Sequence, residues 1–70
     1  MFKIDVRGLA CPEPVVRTQM ALKADPEGGT VIGDTVCSRE NITRFATAKK
    51  YDVSVQTKDG EYTLTLKKKD

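Results

Sequence analysis

Phe2-Lys3-Ile4-Asp5-Val6-Arg7-Gly8-Leu9-Ala10-Cys11-Pro12-Glu13-Pro14-Val15-Val16 is the stretch whose reading decides the fold. Phe2 to Val6 alternates apolar and polar residues, the pattern of a half-buried strand. Arg7-Gly8-Leu9-Ala10 turns the chain, and a helix is predicted from about Pro12 to Lys23. Pro12 suits the first helical position, where its missing N–H costs nothing. Val15, Val16, Gln19, Met20 and Leu22 supply an apolar stripe for that helix.

Further along, the same alternation of periods continues. Ala24-Asp25-Pro26-Glu27-Gly28-Gly29 ends the helix, and Thr30-Val31-Ile32-Gly33 reads as a short strand. A second helix is predicted after Asp34-Thr35, either of which is a good N-cap. It runs to about Lys50, with Ile42, Phe45, Ala46 and the stem of Lys49 inward. Val53-Ser54-Val55-Gln56 alternates again, Lys58-Asp59-Gly60 supplies a hairpin turn, and Tyr62, Leu64 and Leu66 form the inner row of a last strand. The order βαβαββ predicts an α+β fold, a two-layer α/β sandwich with two helices on one face of a mixed four-stranded sheet. The expectation is a single domain over residues 1–70.

That topology has a consequence for chemistry. The first two strands run parallel, so the helices that follow them begin at the same end of the sheet. Cys11 is therefore expected at the same rim as Asp34, Thr35 and Cys37, with Arg7 nearby. Helix N-termini carry partial positive charge, and a cysteine placed there is favoured as the reactive thiolate. The plain alternative is a small buried cysteine that happens to precede a helix, since free cysteine is among the most buried residue types.

Composition narrows the chemistry available. With 39% hydrophobic and 31% charged residues the chain reads as an ordinary water-soluble globule, and its apolar runs are too short to span a membrane. Met1-Phe2-Lys3-Ile4-Asp5 lacks the apolar region of a signal peptide, so a cytoplasmic location is expected. Two cysteines make no disulfide scaffold, and with no histidine there is neither a typical zinc site nor Cys-His catalysis. No metal or cofactor is expected. Activation of a thiol must come from backbone dipoles, Arg or Lys, or a partner.

The residues Asp5 to Val16, with Gly8-Leu9-Ala10-Cys11-Pro12-Glu13-Pro14 at their centre, resemble the opening of the TusA/SirA/YedF family of small sulfur-carrier-like proteins. The family pattern is a strand, a Gly-Leu-x-Cys-Pro-x-Pro segment and a helix. Asp34 and the run Arg39-Glu40-Asn41-Ile42-Thr43-Arg44-Phe45-Ala46 resemble the family's second-helix region, with details closest to the YedF branch associated with selenium metabolism. The resemblance implies that Cys11 accepts a persulfide from a cysteine desulfurase-type donor and passes the sulfur to an acceptor protein, towards tRNA thiolation or other sulfur or selenium metabolism. It implies a stoichiometric carrier more than a turnover enzyme.

Residue by residue, the resemblance makes Arg7, Gly8, Pro12, Glu13 and Pro14 the residues that present Cys11 to partners. Each has a structural reading beside it. Gly8 permits a turn that a side chain would obstruct. The prolines start a helix without wasting donors. Arg7 either steers an acidic partner or is merely solvated, and Glu13 suits the helix dipole. Asp34 reads as a cap or turn residue rather than a catalytic acid.

Cys37 departs from the family pattern, where a small residue such as Ala or Thr usually stands. It is either an apolar filler at the start of the second helix or a second thiol able to resolve a persulfide on Cys11. Bridging needs Cα atoms within roughly 7 Å, and neighbouring helices pack about 8–10 Å apart, which makes the geometry marginal. Two other function classes compete with sulfur carriage. One is a regulatory interaction module in which Cys11 is not chemically used. The other is RNA binding, suggested by Lys67-Lys68-Lys69 but disfavoured by a net charge of only +2. Among the aromatic residues Phe45 reads as core, Tyr51 and Tyr62 fit strand or helix edges, and no glycine-rich phosphate loop is present.

Overall fold

Alternation in the first five residues and in the last strand is matched by the backbone. The computed structural model describes residues 1–69; Asp70, which ends the lysine-rich terminus, lies outside the described residues. The elements are β1 (Phe2–Asp5), α1 (Glu13–Ala24), β2 (Gly28–Gly33), α2 (Val36–Ala48), β3 (Tyr51–Lys58) and β4 (Glu61–Lys68). They form a four-stranded sheet in the order β1-β2-β4-β3, with β1 and β2 parallel and both pairs involving β4 antiparallel. α1 packs on β1 and β2, α2 on β3 and β4, and the helices touch each other, so both cover one face of the sheet. This is the predicted α+β sandwich.

The register explains the core. Phe2 pairs with Gly29, Gly29 with Leu66, and Leu66 with Val53, giving one cross-strand row. Ile4, Val31, Leu64 and Val55 form the next. Val31, Leu64, Leu66, Ile42 and Ala46 are fully buried between sheet and helices. Burying each of the larger side chains contributes about 1.5–3 kcal/mol, which matters in a chain this short. Asp59 and Gly60, with φ of 52° and 80°, close the β3–β4 hairpin as a primed turn.

Several boundaries and faces differ from the sequence reading. β2 begins at Gly28, not Thr30, because Gly28 and Gly29 pair with Lys67 and Leu66 instead of terminating α1. Gly29 lies directly under Phe2; a Cβ there would collide with the Phe2 carbonyl oxygen and its ring, 2.5 Å from the ring Cγ. α2 ends at Ala48, two residues before Lys50, which takes a left-handed φ of 67°. Lys49 is exposed at that end.

The stripe of α1 is also rotated. Pro14, Thr18 and Leu22 are its buried residues, whereas Val16 and Met20 are 46% and 64% exposed. Thr18 tolerates burial because its hydroxyl donates to the Pro14 carbonyl at 2.9 Å. Val55 lies on the edge strand β3 and is 45% exposed despite its inward register. Tyr62 is a core residue, 4% exposed, rather than an edge one. Among the described residues no helix is long and apolar enough to cross a membrane.

Candidate functional site

Val6 follows β1 and is buried, with its N–H held by the Ile32 carbonyl at 2.7 Å. The chain must then leave the sheet edge and reverse into α1. Gly8 makes that reversal with φ of +79°, a conformation L side chains rarely adopt. Its N–H points to Asp34, 3.3 Å from either carboxylate oxygen, which ties this loop to the segment before α2. Leu9 returns to the core, and its N–H bonds the Val6 carbonyl at 3.3 Å.

Cys11 follows, half-buried, and its bond to Pro12 is cis. Pro12 is the N-cap residue with φ −96° and ψ 14°, so it stands just before the helix and not at its first position. Its carbonyl accepts from the N–H groups of Val15 and Val16 at 3.1 and 3.2 Å. Pro14 is the second helical residue, and its ring is fully buried. Pro12 and Glu13 thus face solvent beside Cys11, while Pro14 anchors the helix start in the core.

The second wall of the site is the first turn and a half of α2. Thr35 caps it, accepting from the Ser38 N–H at 3.3 Å, while Thr35 and Ser38 hydroxyls meet at 2.6 Å. Ser38 is buried and shares a 2.5 Å hydrogen bond with the Tyr62 hydroxyl of β4. This polar pair, together with the buried Ile42 and Ala46, fixes the rotation of α2 on the sheet. Cys37 and Asn41 are one turn apart on that helix, and the fixed rotation aims both at Cys11. Asn41 Nδ2 lies 3.4 Å from Cys37 Sγ and 3.7 Å from Cys11 Sγ.

Both thiols are free, Cys37 being the more exposed. The adjacent Cys11 sulfur is the main cause that pushes the Cys37 thiol above its ordinary pKa, followed by desolvation, with Asn41 opposing. Burial raises Tyr62 as well, opposed by its hydrogen bond to Ser38.

The rim expected from topology is therefore present: Cys11, Asp34, Thr35 and Cys37 meet at one end of the sandwich. Arg7 does not act there as a free cation. Its guanidinium is clamped by Asp5 at 2.6 Å and Glu61 at 3.2 Å, which raises its own pKa and lowers that of Asp5. Glu13 turns along the helix to Arg17, 3.5 Å away, both being exposed. Three contributors lay outside the candidate residues read from sequence: Asn41, Ser38 and Tyr62. The spacing of four between Cys37 and Asn41 was the available signal for one of them. For the hydroxyl pair, only the tertiary contact reveals it. A shallow groove of about 210 Å³ flanks α2, lined by Asp34, Thr35, Val36, Arg39 and Glu61 among others, and neither thiol is part of its lining.

Comparison with known proteins places the chain in a family. The family profile described as Sulfurtransferase TusA matches residues 2–68. A protein of Methanocaldococcus jannaschii, named as a candidate sulfur carrier, is 38% identical over 71 aligned positions, covering 97% of this chain and 95% of the relative. The crystal structure of a SirA-like protein from Desulfitobacterium hafniense superposes with a TM-score of 0.86 at 34% identity, over 100% of both chains. With a family match across nearly the whole chain and a solved relative sharing its architecture, the protein belongs to the TusA/SirA family.

Proposed function

We propose that this protein is a sulfur carrier in which Cys11 holds the cargo as a persulfide. One observation carries the reading: the cysteine of Cys-Pro-Glu-Pro stands half-buried at the start of α1, with the Asn41 amide facing its sulfur at 3.7 Å. A carrier sulfur must be reachable by another protein's persulfide and must be stabilised between partners. Partial exposure meets the first need. The Asn41 amide donor and the partial positive end of the α1 dipole meet the second, since both favour negative charge on a terminal sulfur. Pro12 and Glu13 form the surface next to the sulfur that a donor or acceptor touches, and Gly8 and Asp34 hold the loop in place. Arg7, paired with Asp5 and Glu61, supports that loop rather than attracting partners.

In this reading the partners are a cysteine desulfurase-type donor and a downstream acceptor protein, and the protein works in the cytoplasm as a stoichiometric carrier. Glu40-Asn41 and Arg44-Phe45-Ala46 keep selenium as an alternative cargo, as in the YedF branch. Incubation with a cysteine desulfurase and cysteine, followed by intact-mass analysis, tests it. A gain of one sulfur atom on the wild type and none on Cys11→Ser is the expected result. Absence of any gain on the wild type and on Cys37→Ser alike removes the carrier reading and leaves a regulatory interaction module. Repeating the assay with selenocysteine separates the two cargoes.

A further inference from the structure

Cys37 has no part in the carrier role just described, yet its sulfur shares one amide donor with Cys11. Asn41 Nδ2 is within 3.4 Å of one sulfur and 3.7 Å of the other. Both thiols are free, and neither is sealed inside the core. Two nucleophilic sulfurs held around a single hydrogen-bond donor form a dithiol pair, not an isolated cysteine.

We propose that Cys37 is a resolving thiol that discharges a persulfide on Cys11 as sulfide, closing a Cys11–Cys37 disulfide. The inference rests on the carrier reading above. Cys37 loses its proton to solvent, and its Sγ forms a bond to the inner sulfur, Cys11 Sγ. The bond between Cys11 Sγ and the outer sulfur breaks, and its electron pair leaves with the outer sulfur as hydrosulfide. That outer sulfur is reduced and the Cys37 sulfur is oxidised, so no outside oxidant is consumed. A dithiol reductant then returns both cysteines to thiols. Attack on the inner sulfur follows from position, because the Asn41 amide holds the Cys37 sulfur on the same side as Cys11 Sγ itself. Hydrogen sulfide is more acidic than an ordinary thiol, so hydrosulfide is a good leaving group.

The device contains its own brake. The groups around Cys37 are Cys11, from the segment before α1, and Glu40 and Asn41 from α2; Cys11 first, then desolvation and last Glu40 hold its proton on, while Asn41 opposes them. A protonated Cys37 does not attack, which slows the discharge. Raising the pH releases the brake. The protein thereby has two outlets for its sulfur, transfer to a partner and release as free sulfide.

The test loads wild type, Cys37→Ser and Cys11→Ser with glutathione persulfide, removes the excess, and follows intact mass and free sulfide in dilute protein. Cys37 is exposed, so its replacement leaves the core untouched. The expected wild-type result is loss of the added sulfur, one equivalent of sulfide, and a monomer lighter than the reduced protein by two hydrogens. In Cys37→Ser the persulfide should last at least about tenfold longer, with no sulfide released until a thiol is added. Equal persulfide lifetimes in the two proteins, or a disulfide that forms only between molecules, overturn the resolving role while leaving the carrier reading intact. Failure of Cys37→Ser to take up sulfur at all overturns the carrier reading and this inference with it.

Discussion

Asp34 accepts the backbone N–H of Gly8 across the gap between the two β–α connections, 3.3 Å from each carboxylate oxygen. The loop that carries Cys11 is thus tied to the residue before the Thr35 cap of α2, which links the two thiol-bearing segments. Asp34 read from sequence as a cap or turn residue. The cap is its neighbour Thr35, and Asp34 is the clasp.

Replacing Asp34 by Ala should open the clasp without unfolding the protein. Hydrogen exchange of the Gly8 amide should rise about tenfold, the scale of one lost surface hydrogen bond to a charged acceptor, while core amides stay unchanged. Alkylation of Cys11 should quicken in parallel. Unchanged exchange at Gly8 would show that the turn holds itself.

Ser38 and Tyr62 form a buried hydroxyl pair at 2.5 Å. Ser38→Ala strands the buried Tyr62 hydroxyl, at a cost of about 1–3 kcal/mol, whereas Tyr62→Phe costs less because Ser38 keeps its bonds to the Thr35 hydroxyl and carbonyl. The double variant should cost less than the sum of the singles, because neither group is then stranded. Urea denaturation of the four proteins reads the coupling directly, and strict additivity would show that the pair is not a unit.

For the Cys37 thiol the prediction concerns pH. Cys11 is the main cause of its raised pKa, so Cys11→Ala should move the Cys37 alkylation profile to lower pH. Asn41→Ala removes an opposing influence and should move it to higher pH. Iodoacetamide labelling between about pH 7 and 10, read by mass, separates these shifts by their sign. Shifts in the same direction would contradict the arrangement of the three groups.

The Asp5–Arg7 pair predicts acid behaviour. Hydrogen bonds from Arg7 lower the pKa of Asp5 from its ordinary 3.8. A carboxylate depressed in the folded state contributes stability that is fully present above that ordinary value. The contribution is lost as pH falls below 3.8 through the folded-state value. Arg7→Gln should therefore flatten the acid limb of a stability curve measured between about pH 2 and 6, with little change in slope at neutral pH. The pair is solvent-exposed, so added salt should shrink the difference.

Element type and order were legible from local patterning. Alternation marked Phe2–Val6 and Glu61–Lys67 as strands, Asp59-Gly60 marked the hairpin, and proline marked the start of α1, because each signal is a property of adjacent residues. Cys11 and its motif were legible for the same reason. The helix faces were less so: Val16 and Met20 have the right spacing for burial, but Pro14, Thr18 and Leu22 take the inward positions. A hydroxyl that bonds its own helix backbone made Thr18 as acceptable inside as a valine, and hydropathy alone does not show that. Gly28 and Gly29 looked like a turn because glycine usually breaks a strand, whereas here the Phe2 ring fills the space over Gly29 and the Leu66 backbone closes on Gly28.

The sequence by itself determined that two helices start at one rim and that a thiol in a Cys-Pro-Glu-Pro segment stands there. That follows from strand–helix–strand handedness, which needs only element order. Tertiary structure alone decided what surrounds the sulfur. Arg7 was withdrawn into ion pairs with Asp5 and Glu61, residues separated from each other by most of the chain. Asn41 was brought beside both Cys11 and Cys37 by the rotation of α2, whose buried face is Ser38, bonded to Tyr62, with Ile42 and Ala46. A helix rotation of a few tens of degrees would have left both cysteines in the same sequence positions and taken the donor away from them.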